Sequence, residues 1–164
     1  MTIKVQEYLR ADGSNPVQLT SGDFDDVDPA WSPDGAQISF ASKRGGTDEL
    51  YVMNADGSNV RQVTAGLDIG GRNDWAPDGR TLVFYAGPGG DENIFVVNVD
   101  GSGLRQLTFG GSNKGPSFSP DGNWISYASS RDGDNEIFIM RADGTDERQL
   151  TFNNRPDYQP RWGR

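Results

Sequence analysis

Apolar and polar side chains alternate along short stretches of this chain, and turn residues separate the stretches. Gln37–Ser42 alternates apolar with polar residues, which is typical of a half-buried β-strand. Residues 50–53 form a more continuous apolar run, and residues 60–64 follow as a further strand pattern. The Ser-Pro-Asp-Gly and Ala-Asp-Gly segments between them suit tight turns, because Pro presets φ and Gly accepts positive φ. The pattern predicts short antiparallel strands.

The strand pattern returns with a period in the low forties. Trp-Ser-Pro-Asp-Gly at 31–35 recurs at 75–79 and 118–122 with small changes, and Trp162 falls another 44 residues on. A Gln-(Leu/Val)-Thr motif at 18–20, 62–64, 106–108 and 149–151 keeps the same period. One small sheet cannot bury both faces without neighbours, so this period predicts the blades of a β-propeller. No stretch has capped helical periodicity, and the predicted fold class is all-β, with four-stranded antiparallel blades.

The period divides the single predicted domain into blade repeats at about 21–64, 65–108 and 109–151. A fourth blade is split between residues 1–20 and 152–164, with strands at 5–9, 17–20 and 158–162 and no second strand. Three arrangements remain open: a narrow four-bladed ring, a head-to-tail homodimer of about eight blades, and an excised piece of a longer propeller. We expect the homodimer, because unpaired strand edges promote association.

Composition excludes several function classes. The formal net charge of −9 argues against a nucleic-acid partner, since phosphate binding requires clustered Lys and Arg. The chain has no Cys and no His, which excludes Ser-His-Asp and Cys-His catalysis and the commonest zinc sites. It also shows no signal peptide and no apolar run of membrane-spanning length. We therefore expect neither an enzyme nor a membrane-inserted protein.

The motifs resemble the TolB-type β-propeller repeat over essentially the whole chain. Residues 26–35 read Asp-x-x-Pro-x-Trp-Ser-Pro-Asp-Gly, and a Ser-x-Arg-x-Gly loop follows at 42–46. The third period matches at 130–133 and 136–138, whereas the middle one departs at Gly70, Asn73, Ala76 and 87–90. The resemblance implies a protein-recognition propeller and a periplasmic or extracytoplasmic place for a full-length parent. Similar repeats form the gating propeller of prolyl-oligopeptidase-like hydrolases, so an accessory domain of a larger hydrolase is an alternative.

Two repeated residue types favour structural over functional interpretations. The turn aspartates are expected to accept hydrogen bonds from nearby backbone amides rather than to bind ligands. The large side chains that end the first strands are expected to fill the space between blades rather than to form a binding ladder. The second group consists of Trp31, Trp75, Phe118 and Trp162.

Calcium is the one cofactor that the sequence suggests, and only weakly. The densest acidic run contains Asp23, Asp25, Asp26 and Asp28. Several carboxylates together suit Ca²⁺, although Val27 and Asp28 occupy positions that exclude an EF-hand loop. Asp132, Asp134 and Glu136 form a similar, weaker group. The default interpretation of both runs is a solvated loop with no cofactor.

The candidate ligand-binding residues lie on the innermost strands, where equivalent positions differ among blades. Ala30, Asp74, Ser117 and Arg161 precede the interblade aromatics, and Asp28, Arg72, Gly115 and Gln159 lie two residues earlier. We predict a mixed-charge channel mouth, with plain solvation of a central pore as the alternative. The predicted ligand-binding residues are Asp28, Arg72, Asp74, Gln159 and Arg161.

Two functions are compatible with these sequence features. The first is a scaffold that binds a protein or peptide through the channel mouth and blade loops. The second is a self-assembling propeller fragment, or an engineered repeat unit, with no ligand. In either case the Asp74 side chain is expected in the channel, where its loss would cost much less stability than loss of Trp75.

Overall fold

The computed structural model describes residues 7–8, through their backbone, and residues 16–162. All regular structure in these residues is β-strand, and the strands follow the predicted period. In chain order they are β1 (Glu7–Tyr8), β2 (Val17–Gln18), β3 (Asp26–Trp31), β4 (Gln37–Ser42), β5 (Glu49–Asn54), β6 (Arg61–Gln62), β7 (Ile69–Trp75), β8 (Thr81–Ala86), β9 (Asn93–Asn98), β10 (Arg105–Gln106), β11 (Asn113–Phe118), β12 (Trp124–Ser129), β13 (Glu136–Arg141) and β14 (Arg148–Gln149). Within these residues no helix is long and apolar enough to cross a membrane.

Three four-stranded antiparallel sheets form the body of the molecule, and each contains one period. The first blade has the strand order β3-β4-β5-β6, the second β7-β8-β9-β10 and the third β11-β12-β13-β14. The innermost strands β3, β7 and β11 contact one another in turn, so the blades meet along these strands. The sheets confirm the prediction of an all-β chain built from propeller blades.

The outer strands are shorter than the sequence pattern predicted, because a threonine side chain ends each ladder. The fourth strand of the first blade covers only Arg61–Gln62. Beyond it, the Leu50 amide donates to Thr64 Oγ1 at 2.9 Å rather than to a backbone carbonyl. Thr108 and Thr151 accept the corresponding amides in the other two blades. The repeated threonine of the Gln-x-Thr motif therefore ends the fourth strand.

The β1–β2 pair lies beside the first blade, where a preceding blade of the propeller would lie. Glu7 pairs with Gln18, in the same register as Tyr51 with Gln62 in the first blade. Leu19, just after β2, packs against the apolar face of the first blade. The pair thus matches the predicted third and fourth strands of the split blade. Residues 5, 6 and 9 of the predicted strand 5–9 lie outside the described residues, as do 163–164.

Each innermost strand contains an irregularity that turns its backbone. The register shifts in the middle of β3, β7 and β11. A residue at each shift has positive φ: Asp28 at 51°, Gly71 at 111° and Gly115 at 62°. Glycine takes this conformation without steric cost, whereas Asp28 must tolerate it. A bulge of this kind re-aims the neighbouring side chains of the innermost strand.

The C-terminal segment 156–162 follows the path of an innermost strand, although it forms no strand ladder with any described residue. Gln159 has φ of 53°, which repeats the bulge conformation. The Asp157 amide donates to the Asn135 carbonyl at 2.6 Å. The same bond joins Ile69 to Asp48 and Asn113 to Glu92, each at 2.8 Å. The predicted strand 158–162 is therefore docked on the third blade without the hydrogen-bonded neighbour that would make it a strand.

The aromatic residues that end the first strands divide into two pairs. Trp75 is 4% exposed and Phe118 is 7% exposed, each within a core cluster shared by two blades. The Trp75 indole also donates to the Ala30 carbonyl of the first blade, at 3.0 Å. Trp31 and Trp162, at 45% and 36%, are not buried as expected. Their blade interfaces involve the incomplete fourth blade, so less surface covers each indole.

Candidate functional site

The turn aspartates hold the turns together, as the sequence predicted. Asp121 accepts bonds from the Ser119 hydroxyl at 2.5 Å and from the Asn123 amide at 3.0 Å. These bonds, the hydroxyl first, lower the pKa of Asp121 to about 2. Asp56 likewise accepts from the hydroxyl and the amide of Ser58, which lowers its pKa. The repeated Asp-Gly motifs are therefore turn elements.

The acidic runs that suggested calcium do not converge. Asp26 is buried and accepts two bonds from the Arg44 guanidinium, at 2.8 and 2.9 Å. Asp23 and Asp25 remain on the exposed loop. In the other run, Glu136 is buried and accepts from Thr151 Oγ1 and the Asn153 amide. Among residues 16–162 no three acidic side chains form a group that could hold a metal ion, so the structure adds no support to the weak calcium suggestion.

A groove of about 460 Å³ opens at the end of the innermost strands where the Ser/Ala-Pro-Asp-Gly turns begin. We call it the mouth groove. Its lining combines aromatic, proline and serine side chains with one guanidinium and one carboxylate. The residues are Trp31, Ser32, Pro33, Asp74, Trp75, Pro77, Ser117, Phe118, Ser119, Pro120, Arg161 and Trp162. The structure thus brings together two predicted site residues, Asp74 and Arg161, and the two half-exposed indoles.

The Asp74 side chain is not free in the structure, in contrast to the prediction of a free channel side chain. One carboxylate oxygen accepts from the Ser117 hydroxyl and from the Phe118 amide, both at 2.9 Å. These donors belong to the third blade, so Asp74 ties the second blade to the third. A charged acceptor of this kind contributes more than a neutral hydrogen bond. The loss of Asp74 is therefore expected to cost more stability than the loss of a free channel side chain, although less than the loss of Trp75.

Arg72 and Gln159 lie one step deeper along the same strands, beside a smaller cavity of about 110 Å³. We call it the Arg72 cavity. Tyr85, Lys114 and Gly115 also line it. Burial, followed by the charge of Arg161, lowers the pKa of Arg72, while Asp28 and Asp74 act in the opposite direction. The Asp28 carboxylate lies next to the β7 backbone beside Arg72, since a Cβ added at Gly71 would be 2.3 Å from Asp28 Oδ2.

Of the five predicted site residues, Asp74 and Arg161 line the mouth groove, Arg72 and Gln159 line the Arg72 cavity, and Asp28 lines neither. Trp31, Trp162 and the turn prolines were not predicted to share a groove with Arg161. The turn motif contained the necessary signal, because each proline follows an innermost strand by two residues and all such turns lie at one end of the blades. The half-exposed indoles could not be predicted without the geometry of the incomplete blade.

Comparison with known proteins points to one family. The family described as "TolB beta propeller domain" matches residues 6–163. No curated protein sequence matches this chain. Solved structures, in contrast, include several that resemble the chain.

Two TolB structures resemble the chain over 94% of its length. A protein described as putative TolB from Agrobacterium tumefaciens superposes with a TM-score of 0.82 at 28% identity, and 57% of that chain is covered. TolB from Acinetobacter baumannii gives 0.81 at 21% identity, with 39% of that chain covered. This chain thus spans less than two thirds of either TolB protein.

A prolyl endopeptidase structure shares the fold. Its TM-score is 0.64 at 18% identity, over 91% of this chain and 26% of the endopeptidase. At that identity the likeness shows the propeller architecture alone.

Proposed function

The chain belongs to the TolB β-propeller domain family, and from this premise we propose that it is a non-enzymatic scaffold that binds an extended peptide segment in the mouth groove. The observation that carries the proposal is the groove itself, whose volume of about 460 Å³ lies within the usual range of ligand sites. It is concave, and it lies at the channel end that the blade turns surround.

The chemistry of the mouth groove suits a peptide. Trp31 and Trp162 are 45% and 36% exposed and offer flat apolar faces that lose little conformational entropy on binding. Arg161 is exposed and adds a donor for carbonyl or carboxylate oxygens. Such a mixture of aromatic anchors and a few polar groups is typical of peptide recognition.

Catalysis by the chain itself is not part of the proposal. Its groove contains one carboxylate, Asp74, and that group is committed to Ser117 and Phe118. The absence of His and Cys from the sequence supports the same inference. The accessory-domain alternative has only the shared fold of an endopeptidase in its favour.

The proposal can be tested by selecting peptides on the full chain. A phage-displayed library of random dodecapeptides is panned on immobilised protein, and selected peptides are synthesised and measured by isothermal titration calorimetry. Trp162→Ala and Arg161→Glu should each weaken binding by at least about tenfold, because aromatic and arginine anchors dominate such interfaces. Arg80→Glu is the charge-matched control, since Arg80 is exposed on a turn outside the groove.

Two results would contradict the proposal. One is a selection that yields no peptide with saturable binding. The other is a set of peptides whose affinity changes equally in Arg161→Glu and Arg80→Glu. The second result would mean that the peptides bind through the overall charge of the protein surface rather than in the groove.

We also infer that the chain assembles head to tail with a second copy. The supporting observation is Leu150, which is 51% exposed, whereas the equivalent Val63 and Leu107 are each 8% exposed. The Asp-Gly hairpin of the next blade lies over those two residues, since a Cβ added at Gly101 would be 3.1 Å from the Val63 carbonyl oxygen and one at Gly144 3.3 Å from Leu107 Cδ2. The β1–β2 pair of a partner chain would cover Leu150 in the same way.

A further inference from the structure

The Arg72 guanidinium is the least satisfied charged group in the described part of the chain. Its Nη1 atom is buried and has no hydrogen-bond partner. It is the only buried side-chain nitrogen or oxygen among the described residues with this property. An unpaired buried donor is costly, and more so when it belongs to a charged group. Arg72 also makes no ion pair among the described residues.

The acidic groups near Arg72 do not satisfy it. Asp28 and Asp74 influence its pKa through space, but neither makes a hydrogen bond to it. One Asp74 oxygen is occupied by Ser117 and Phe118 of the third blade. Lys114, which lines the same cavity, is paired with Glu92 at 2.9 Å. The positive charge that lacks a partner is therefore that of Arg72, and Arg161 adds to it.

The space in front of Arg72 is kept open by glycine. Gly115 lies opposite, and a Cβ there would come within 3.7 Å of Arg72 Nη1 and of the Gln159 Cα. Its φ of 62° is a left-handed conformation that other residues adopt with strain. Arg72 thus lines a small cavity while its buried Nη1 lacks a partner, and an anion in the cavity would offer the guanidinium a charged acceptor.

We propose that the Arg72 cavity binds a carboxylate group, and that the Arg72 guanidinium turns toward the cavity to donate to one of its oxygens. The carboxylate belongs to the peptide in the mouth groove, and in that respect the inference rests on the proposed function. Arg72 and Asp74 are two residues apart on β7, which corresponds to about 7 Å along a strand. A peptide in the groove therefore reaches the cavity with one or two further residues, through its terminal carboxylate or an acidic side chain.

Small acids test the site separately from the peptide groove. The full chain is titrated with sodium acetate and followed by two-dimensional ¹H–¹⁵N NMR, including the arginine Nε–Hε signals. The Arg72 Nε–Hε and Gly115 amide signals should shift saturably with acetate. They should not do so with acetamide, its neutral analogue, or with sodium chloride at the same concentration.

Variants assign the effect to Arg72. Arg72→Gln should weaken acetate binding by at least about tenfold, since a charge-assisted donor is lost. The variant is expected to fold, because the guanidinium that it removes makes no hydrogen bond through the buried nitrogen. Arg80→Gln is the matched control and should bind acetate as the wild type does. Equal binding in Arg72→Gln, or equal shifts with acetamide, would overturn the inference.

Three short peptides distinguish the source of the carboxylate. Acetyl-Gly-Gly-Gly with a free C-terminus, the same peptide as an amide, and acetyl-Gly-Asp-Gly amide are titrated in turn. Binding of the first alone assigns the site to a chain terminus, and binding of the third assigns it to acidic side chains. Binding of the uncharged amide with equal strength would contradict a carboxylate site. Since acetate needs no contact with the groove, it still reports on Arg72 if peptide selection fails.

Discussion

At the scale of single residues, neighbouring side chains on β7 contact different blades. Trp75 fills the interface between the first and second blades, with 4% of its surface exposed. Asp74, one residue earlier, is directed to the third blade, where it accepts from Ser117 and Phe118. The alternation of side chains along a strand explains why neighbours face different blades. The same alternation determines which residues border the channel.

Stability measurements can separate these contributions. Trp75→Ala should lower the free energy of unfolding by about 3–5 kcal/mol, the usual range for a buried aromatic. Asp74→Ala should cost about 1.5–3 kcal/mol, because three donors, the Trp75 and Phe118 amides and the Ser117 hydroxyl, lose a charged acceptor. Trp31→Ala should cost less than Trp75→Ala, since Trp31 is 45% exposed. Urea titration followed by circular dichroism measures all three, and an equal loss in Trp31→Ala and Trp75→Ala would contradict the difference in their burial.

The turn aspartates predict a specific acid response. The bonds to Asp121 hold its pKa at about 2, below the ordinary value of 3.8. Stabilisation from a lowered carboxyl pKa is present above pH 3.8 and is lost as pH falls toward 2. Ser119→Ala removes the largest cause, so the pKa of Asp121 should rise toward 3.8. NMR titration of the carboxyl carbon measures the change, with Asp143 as the internal control, since its own partner Thr145 is unaltered.

At the scale of elements, the strands could be predicted because two signals coincide in every period. Alternating apolar residues mark Gln37–Ser42 and Trp124–Ser129, and turn residues separate them from the next strands. The fourth strands were predicted too long, because the threonine side-chain bonds that end their ladders depend on tertiary register. The positive φ of Asp28 and Gln159 could not be predicted, since neither residue is glycine.

Loops between blades are held by buried acceptors, and this has a testable consequence. Glu136 accepts from Thr151 and from the Asn153 amide, which anchors the start of the C-terminal segment. Glu49 makes the equivalent bonds to Thr64 and Gly66 in the first blade. Glu136→Ala should speed hydrogen exchange at residues 152–157, and Glu49→Ala at 64–68. Exchange that rises uniformly in both variants would show global destabilisation instead of two local anchors.

At the scale of the whole molecule, the candidate site depends on how the fourth blade is completed. Two of its strands, β1 and β2, pack before the first blade, and the C-terminal segment docks on the third. The mouth groove uses residues of both regions, since it includes Trp31 and Trp162. The sequence could predict the split of this blade from the period alone. It could not predict whether one chain or two completes it, because both give the same local pattern.

The oligomeric state decides whether one chain or two completes the fourth blade, and we predict a dimer. Light scattering coupled to size exclusion at micromolar concentration should give twice the chain mass of 17.9 kDa. Leu150→Glu should shift the protein to the monomer, because Leu150 is 51% exposed in one chain and would be covered in the dimer. Leu104→Glu is the matched control, since Leu104 is 45% exposed on the second blade, away from the joint.

The variants also separate the dimer from its alternatives. A wild-type mass of 17.9 kDa would contradict the head-to-tail dimer and favour closure within one chain. A dimer that persists equally in Leu150→Glu and Leu104→Glu would contradict the third blade as the joint. If Leu150→Glu alone becomes monomeric, the exposed edge of the third blade is the surface that a second copy covers. About eight blades then surround the channel. The mouth grooves of the two chains face one shared opening.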